Sequence, residues 1–176
     1  MSLVATCSKI ELILSDVDGV MTDGGIHLLD SGEQLVKFHI RDGMGVRLWR
    51  EAGKRFGIVT GRKLESIRRR AADLWLDIVR LGIDDKLPAV DALAAALNLT
   101  RQQVCYIGDD LLDLATIRAV GLGIAVADAV EDVRRAAKYT TSVAGGQAAV
   151  REVVELILKN TGRWDDVLKR YGGSAA

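Results

Sequence analysis

Apolar residues come along this chain in two rhythms. Short, mostly apolar runs recur at residues 10–15, 56–59, 78–81, 104–107 and 122–126 and read as strands of a buried sheet, with a further short strand at 139–141. Between them the spacing widens to that of one helical face. Met44, Leu48 and Trp49 mark it over residues 42–52, Leu64, Ile67, Ala71 and Leu74 over 63–74, and Leu87, Val90, Leu93, Ala94 and Leu97 from Lys86 onward. Further helices are expected at 111–120, 130–137 and 148–158. The only proline, Pro88, falls in the first turn of its helix, where a missing N–H is tolerated. Strands alternating with helices predict an α/β fold: a mostly parallel sheet covered by helices on both faces.

One stretch breaks the alternation. After Gly24 and Gly25, two runs flank the turn Asp30-Ser31-Gly32, and in the second Val36, Phe38 and Ile40 alternate with Leu35, Lys37 and His39. This is strand periodicity around a turn, so a β-hairpin insertion is expected over about residues 25–40. A lone ribbon is only marginally stable in water. Its Val36, Phe38 and Ile40 face therefore has two fates, pairing with copies of itself or folding back on its own domain.

Composition narrows the class. Apolar residues at 49% and charged residues at 27% are ordinary for a globular protein, and the length predicts a single domain spanning residues 1–176. Twenty-four basic side chains balance 24 acidic ones, so no overall field draws the chain to nucleic acid or an anionic membrane. No apolar stretch is long enough to span a bilayer, and residues 1–9 lack the regions of a signal peptide; a cytoplasmic location is expected. Cys7, in what reads as an N-terminal tail, and Cys105, in a strand, lack zinc or disulfide spacing and are expected to be free thiols. Residues 160–176 read as a C-terminal tail, frayed from Gly172.

The chemistry gathers where strands end. The first run stops at Asp16 and Asp18, two positions apart, and then at Gly19; the second stops at Thr60, a later one at Asp109 and Asp110 with Asp113 beyond, and Lys86 opens a helix. In open α/β sheets ligands bind beyond the carboxyl ends of the strands. Carboxylates crowded there resist ionisation unless a cation joins them, and an all-oxygen site favours magnesium. Asp16 could then attack phosphorus, Asp18 could give and take the proton, and Thr60 and Lys86 could hold the transferring oxygens. Each motif alone fits a blander role: a turn, a solvated lysine, a helix cap. Together they point to phosphoryl transfer.

Asp16-Val17-Asp18-Gly19-Val20, Thr60-Gly61-Arg62, Lys86 and Gly108-Asp109-Asp110 with Asp113 resemble, in order, the four motifs of the haloacid dehalogenase superfamily. The resemblance implies a Rossmann-like three-layer αβα fold and Asp16 as nucleophile. It also implies Asp18 as acid and base, and magnesium held by Asp16, the Asp18 carbonyl and Asp109. The second aspartate argues for phosphate rather than carbon–halogen chemistry. Residues 24–59 and 61–85 leave no room for the cap domains that superfamily members often insert. Within the superfamily the chain is similar to a capless, tetrameric subfamily that acts on sugar-acid phosphates of the lipopolysaccharide pathway. The similarity runs through residues 38–47, Thr60 to Lys63, Gly108 to Leu111, Val126 to Ala129 and Gly145 to Glu152. It implies a homotetramer joined through the hairpin and a substrate site of Asp18, His39, Ile40, Arg41, Asp42, Gly43, Arg47, Arg62, Arg70 and Lys86, with Asp110 and Asp113 in support. Arginine's planar fork suits both the carboxylate and the phosphate of such a substrate. His39 stands where that pattern has asparagine, and Ala148 where it has glycine. Arg62 favours an eight-carbon acid over the nine-carbon N-acylneuraminate or KDN type, whose enzymes tend to carry an acid after Thr-Gly. Outside enzymes, the alternatives are a phospho-receiver module, which has no general acid two residues past its acceptor, and a non-catalytic binding relative, which would have lost a key group.

Overall fold

A computed structural model describes residues 2–173. In chain order they form α1 (Leu3–Cys7), β1 (Leu12–Ser15), β2 (His27–Leu28), β3 (Gln34–Leu35), α2 (Ile40–Glu51), β4 (Arg55–Thr60), α3 (Glu65–Asp73) and β5 (Ile78–Leu81). There follow α4 (Lys86–Ala96), β6 (Val104–Gly108), α5 (Leu111–Ala119), β7 (Leu122–Ala125), α6 (Glu131–Ala136), β8 (Tyr139–Thr140), α7 (Ala149–Asn160) and α8 (Trp164–Arg170). Six strands build one sheet in the order β5-β4-β1-β6-β7-β8, every pair parallel. β1 is buried throughout, as its unbroken apolar run requires, and pairs on both sides: Leu12 lies opposite Arg55 and Val104, Ser15 opposite Ile58 and Ile107. The chain winds from β1 outward through β4 to β5, then returns to β6 on the other flank. That reversal opens a crevice past the carboxyl end of β1. α2 and α1 pack on α7 and α4 packs on α5, which also packs on α6.

The hairpin is shorter than its alternation suggests. β2 and β3 pair only as His27 with Leu35 and Leu28 with Gln34, in a two-stranded sheet of their own. Ile40 belongs to α2 and is 80% exposed, whereas Phe38 is half-buried against the core; Val36, Phe38 and Ile40 still border one groove, with Ser66, Arg69 and Arg70 of α3, but not as one strand face. The cause is local. The His39 side chain caps α2, its Nδ1 accepting from Arg41 N at 3.2 Å, and this draws the end of the expected strand into a helix. Residues 3–7, read as tail, are helical because Ser2 caps them, and Cys7 is buried there. At the other end α8 docks through Trp164, whose ring lies under Arg151 and Lys159 at 5.5 and 5.0 Å. The frayed terminus expected from Gly172 lies, from residue 174, outside the described residues.

Ala148 occupies the left-handed region with φ of 74°, where a Cβ is strained, and offers α7 no capping side chain. Asp42 of α2 supplies the cap, its Oδ1 accepting from Arg151 N at 3.0 Å. Ala148→Gly is expected to raise stability by about 0.5–1 kcal/mol in urea unfolding, because relief of that strain exceeds glycine's greater freedom in the unfolded chain. A loss of stability would show that Ala148 is unstrained.

Candidate active site

Asp16 is the first residue past β1 and is 8% exposed. Its Oδ1 accepts from Val17 N and its Oδ2 from Lys86 Nζ, both at 2.6 Å. Lys86 opens α4 and is itself buried, held by a second carboxylate, Asp113, whose Oδ1 accepts from Nζ at 2.6 Å. Burial alone would push the Lys86 ammonium down; the charges of Asp16 and Asp113 outweigh it and hold the group above its ordinary value.

Asp113 has no capacity left. Its Oδ1 also accepts from the Tyr106 hydroxyl at 2.7 Å, and its Oδ2 accepts from Asp109 N at 2.9 Å and Asp110 N at 3.4 Å. Asp110 caps α5 through Leu111 N at 2.7 Å, so the Gly108-Asp109-Asp110 turn is pinned from both sides. Gly19 then lets Asp109 in. With φ of 73° and no Cβ, it admits Asp109 Oδ2 to a point 1.9 Å from where a Cβ would stand. Thr60 ends β4, buried, its Oγ1 accepting from Arg62 N at 3.2 Å.

Carboxylate oxygens of Asp16, Asp109 and Asp113 lie within 4.8 Å of one another. Burial and then the charge of Asp113 lift the Asp16 carboxyl to about 6 against the pull of Lys86, while burial, Asp16 and Asp113 lift Asp109 to about 7. Such a cluster fits a divalent cation, and since the four donors occupy Asp113, the free lone pairs are those of Asp16 and Asp109. Asp18 is not in this carboxylate cluster; the resemblance implies that its main-chain carbonyl, not its carboxylate, is the ligand. Its side-chain Oδ2 is buried without a hydrogen-bond partner among the described residues, as suits a carboxyl waiting for a proton-exchange partner.

These raised values fix a sign. Between about pH 4 and pH 7 the folded, metal-free protein holds protons on Asp16 and Asp109 that the unfolded chain has released, so its stability falls as pH rises through that window. A cation needs the ionised forms. The rise in Tm on adding magnesium is therefore expected to be several degrees at pH 8 and to shrink toward zero at pH 5, read by thermal denaturation with and without chelator. An increment equal at both pH values would contradict the cluster's role.

The substrate residues drawn from the resemblance divide. Ile40, Gly43, Arg47 and Arg70 line one pocket of about 310 Å³ with Met44 and Trp75, and no catalytic carboxylate borders it. Arg47 is exposed and pairs with Glu51 at 2.8 Å. Arg70 lies over the Phe38 ring at 5.7 Å and donates to the His39 carbonyl at 3.4 Å. Arg41 is exposed on the first turn of α2, and Arg62 donates from Nη2 to Gln34 Oε1 of the hairpin at 2.7 Å. Asp42 is 1% exposed; its Oδ1 accepts from Arg151 N at the α7 N-terminus, its Oδ2 is buried without a hydrogen-bond partner among the described residues, and burial lifts its carboxyl to about 6. Sequence reasoning missed Tyr106. A tyrosine in a fully buried strand needs a partner for its hydroxyl, and that signal was present.

A lysine-locked aspartate at the switch point of a parallel sheet, with a second acid two residues on and a cation cradle beside it, defines a phosphohydrolase that works through an aspartyl ester. A family model described as haloacid dehalogenase-like hydrolase matches residues 70–153. The Escherichia coli K12 3-deoxy-D-manno-octulosonate 8-phosphate phosphatase KdsC is 39% identical over 164 residues, 93% of this chain and 87% of that protein. The crystal structure of the Yersinia pestis 3-deoxy-D-manno-octulosonate 8-phosphate phosphatase superposes with a TM-score of 0.89 at 40% identity, covering 92% and 87% of the two chains. That of the Moraxella catarrhalis enzyme, in complex with magnesium, phosphate and KDO, gives 0.93 at 36% identity, covering 96% and 97%. The chain belongs to the haloacid dehalogenase-like hydrolases and, among them, to the 3-deoxy-D-manno-octulosonate 8-phosphate phosphatase family.

Proposed function

We propose that this protein hydrolyses 3-deoxy-D-manno-octulosonate 8-phosphate to KDO and phosphate, with magnesium, in lipopolysaccharide biosynthesis. The observation that carries the chemistry is Asp16, buried and fixed by Lys86 at 2.6 Å, beside Asp109. An Asp16 oxygen attacks phosphorus and the bond to the sugar oxygen breaks, Asp18 giving that oxygen its proton. Asp18 then takes a proton from the water that attacks the aspartyl ester, which frees Asp16 and phosphate. Lys86 keeps Asp16 ionised and oriented, and Thr60 offers its hydroxyl to the transferring oxygens. Magnesium, held by Asp16, the Asp18 carbonyl and Asp109, would neutralise charge on the phosphoryl group. His39, Ile40, Arg41, Gly43, Arg47, Arg62 and Arg70 recognise the sugar acid. Phosphate release from KDO 8-phosphate is expected to exceed that from other sugar phosphates in kcat/KM; preference for N-acylneuraminate 9-phosphate would overturn the assignment.

We further propose a single capless domain over residues 1–176 that acts in the cytoplasm as a homotetramer joined through the hairpin. No helix among the described residues is long and apolar enough to cross a membrane. The hairpin leaves Ile26, Leu28, Leu29 and Leu35 between 48 and 69% exposed, an apolar cost that another copy would remove. Light scattering is expected to give a tetramer, with Leu28→Glu/Leu35→Glu dissociating it and lowering kcat/KM. A fully active monomer would overturn the shared cap.

A further inference from the structure

Asp18 has an unusual difficulty for an acid that must hit a leaving oxygen. Its buried Oδ2 touches no donor among the described residues, so its aim depends on the backbone of residues 17–23 rather than on any bond of its own. That backbone is clamped from outside. Gly146 N donates to Val20 O at 2.9 Å, and Gly145 sits so close that a Cβ on it would fall 1.8 Å from Gly19 O. Gly145 is in turn held by one side chain: its N–H donates to Asp128 Oδ1 at 2.9 Å. Asp128 stands on the loop after β7, and two positions on Val130 N donates to the Asp109 carbonyl at 2.9 Å. One loop thus grips the Asp109 turn directly and the Asp18 turn through Gly145.

We infer that Asp128 is a positioning residue for proton transfer: through Gly145 it sets the place of the loop that aims Asp18. The bond to Gly145 needs only an acceptor for the N–H, and Arg134, the nearby cation, is bonded to the Ala127 and Ala129 carbonyls. Asparagine, which keeps a carbonyl oxygen, should therefore substitute for it, and alanine should not.

The inference rests on the phosphatase reading, with Asp18 as acid, so two substrates and a control separate the two. KDO 8-phosphate has an alkoxide leaving group that needs a proton; p-nitrophenyl phosphate has one that departs without it. Asp128→Ala is expected to lower kcat/KM about tenfold or more for KDO 8-phosphate and less than threefold for p-nitrophenyl phosphate, within the range that removal of a supporting hydrogen bond produces. Asp128→Asn is expected to stay within about twofold of the parent on both. Equal losses on the two substrates, whether from misfolding or from general loosening, would overturn the assignment, as would no loss, or an Asn variant as impaired as Ala. Asp18→Asn is measured alongside. If its kcat/KM, which covers the steps up to departure of the leaving group and not the later hydrolysis that Asp18 serves as base for either substrate, falls equally for both, the acid reading of Asp18 fails; if its kcat/KM splits them and that of Asp128→Ala does not, only the role of Asp128 fails.

Discussion

Asp16→Asn is expected to abolish phosphate release, lowering kcat by roughly four orders of magnitude or more, since removal of a covalent nucleophile leaves only binding and positioning. The substitution is nearly isosteric and keeps an acceptor for Val17 N, which donates to Asp16 Oδ1 at 2.6 Å. Two things are lost. The carboxylate oxygen that would attack phosphorus is gone, and the negative charge that answers Lys86 Nζ at 2.6 Å goes with it. Because Asp16 is buried and raised to about 6 in the metal-free state, the asparagine variant sheds a costly charge as well, so its Tm is expected to hold or rise while turnover disappears. Turnover near the parental rate would refute the covalent route; lost turnover with a collapsed Tm would leave structure, rather than nucleophile, as the cause.

Most of this site was written in the chain because each functional side chain sits at a break in an apolar run. Asp16, Thr60 and Asp109 each lie at or just past a buried strand, and a parallel sheet brings such ends together. Lys86 was legible as a helix start. Its environment was not, because Asp113 reaches it from another helix and is itself held by Tyr106 of another strand. Asp42 shows the limit. Its substrate role came from the resemblance alone; in the structure Ala148 gives α7 no capping side chain, and Asp42 Oδ1 meets that need from 109 positions away. The hairpin forms through β2 and β3 but stops short of residue 40: alternation from Leu35 to Ile40 is real in the sequence, yet His39 caps a helix that begins at Ile40. Pairings between distant segments decide such cases, and one-dimensional spacing does not contain them.

Lys86→Met carries the second large effect, and on stability as much as on rate. The ammonium is 2% exposed, with a carboxylate oxygen at 2.6 Å on either side, one from Asp16 and one from Asp113. Methionine fills the same space without the charge, leaving two buried carboxylates facing each other. Breaking a buried ion pair in this way costs about 3–5 kcal/mol, a fall in Tm of roughly 10 °C for a chain of this size. Turnover is expected to drop at least about a hundredfold, because Asp16 loses both its orientation and the cation that keeps it ionised. Asp113 makes the cause testable. Asp113→Asn in the Lys86→Met background removes one of the two unanswered charges, so the double variant is expected to be less destabilised than the sum of the two single changes, by about 1–3 kcal/mol of coupling. Strict additivity in urea unfolding would mean that the three groups do not act as one unit.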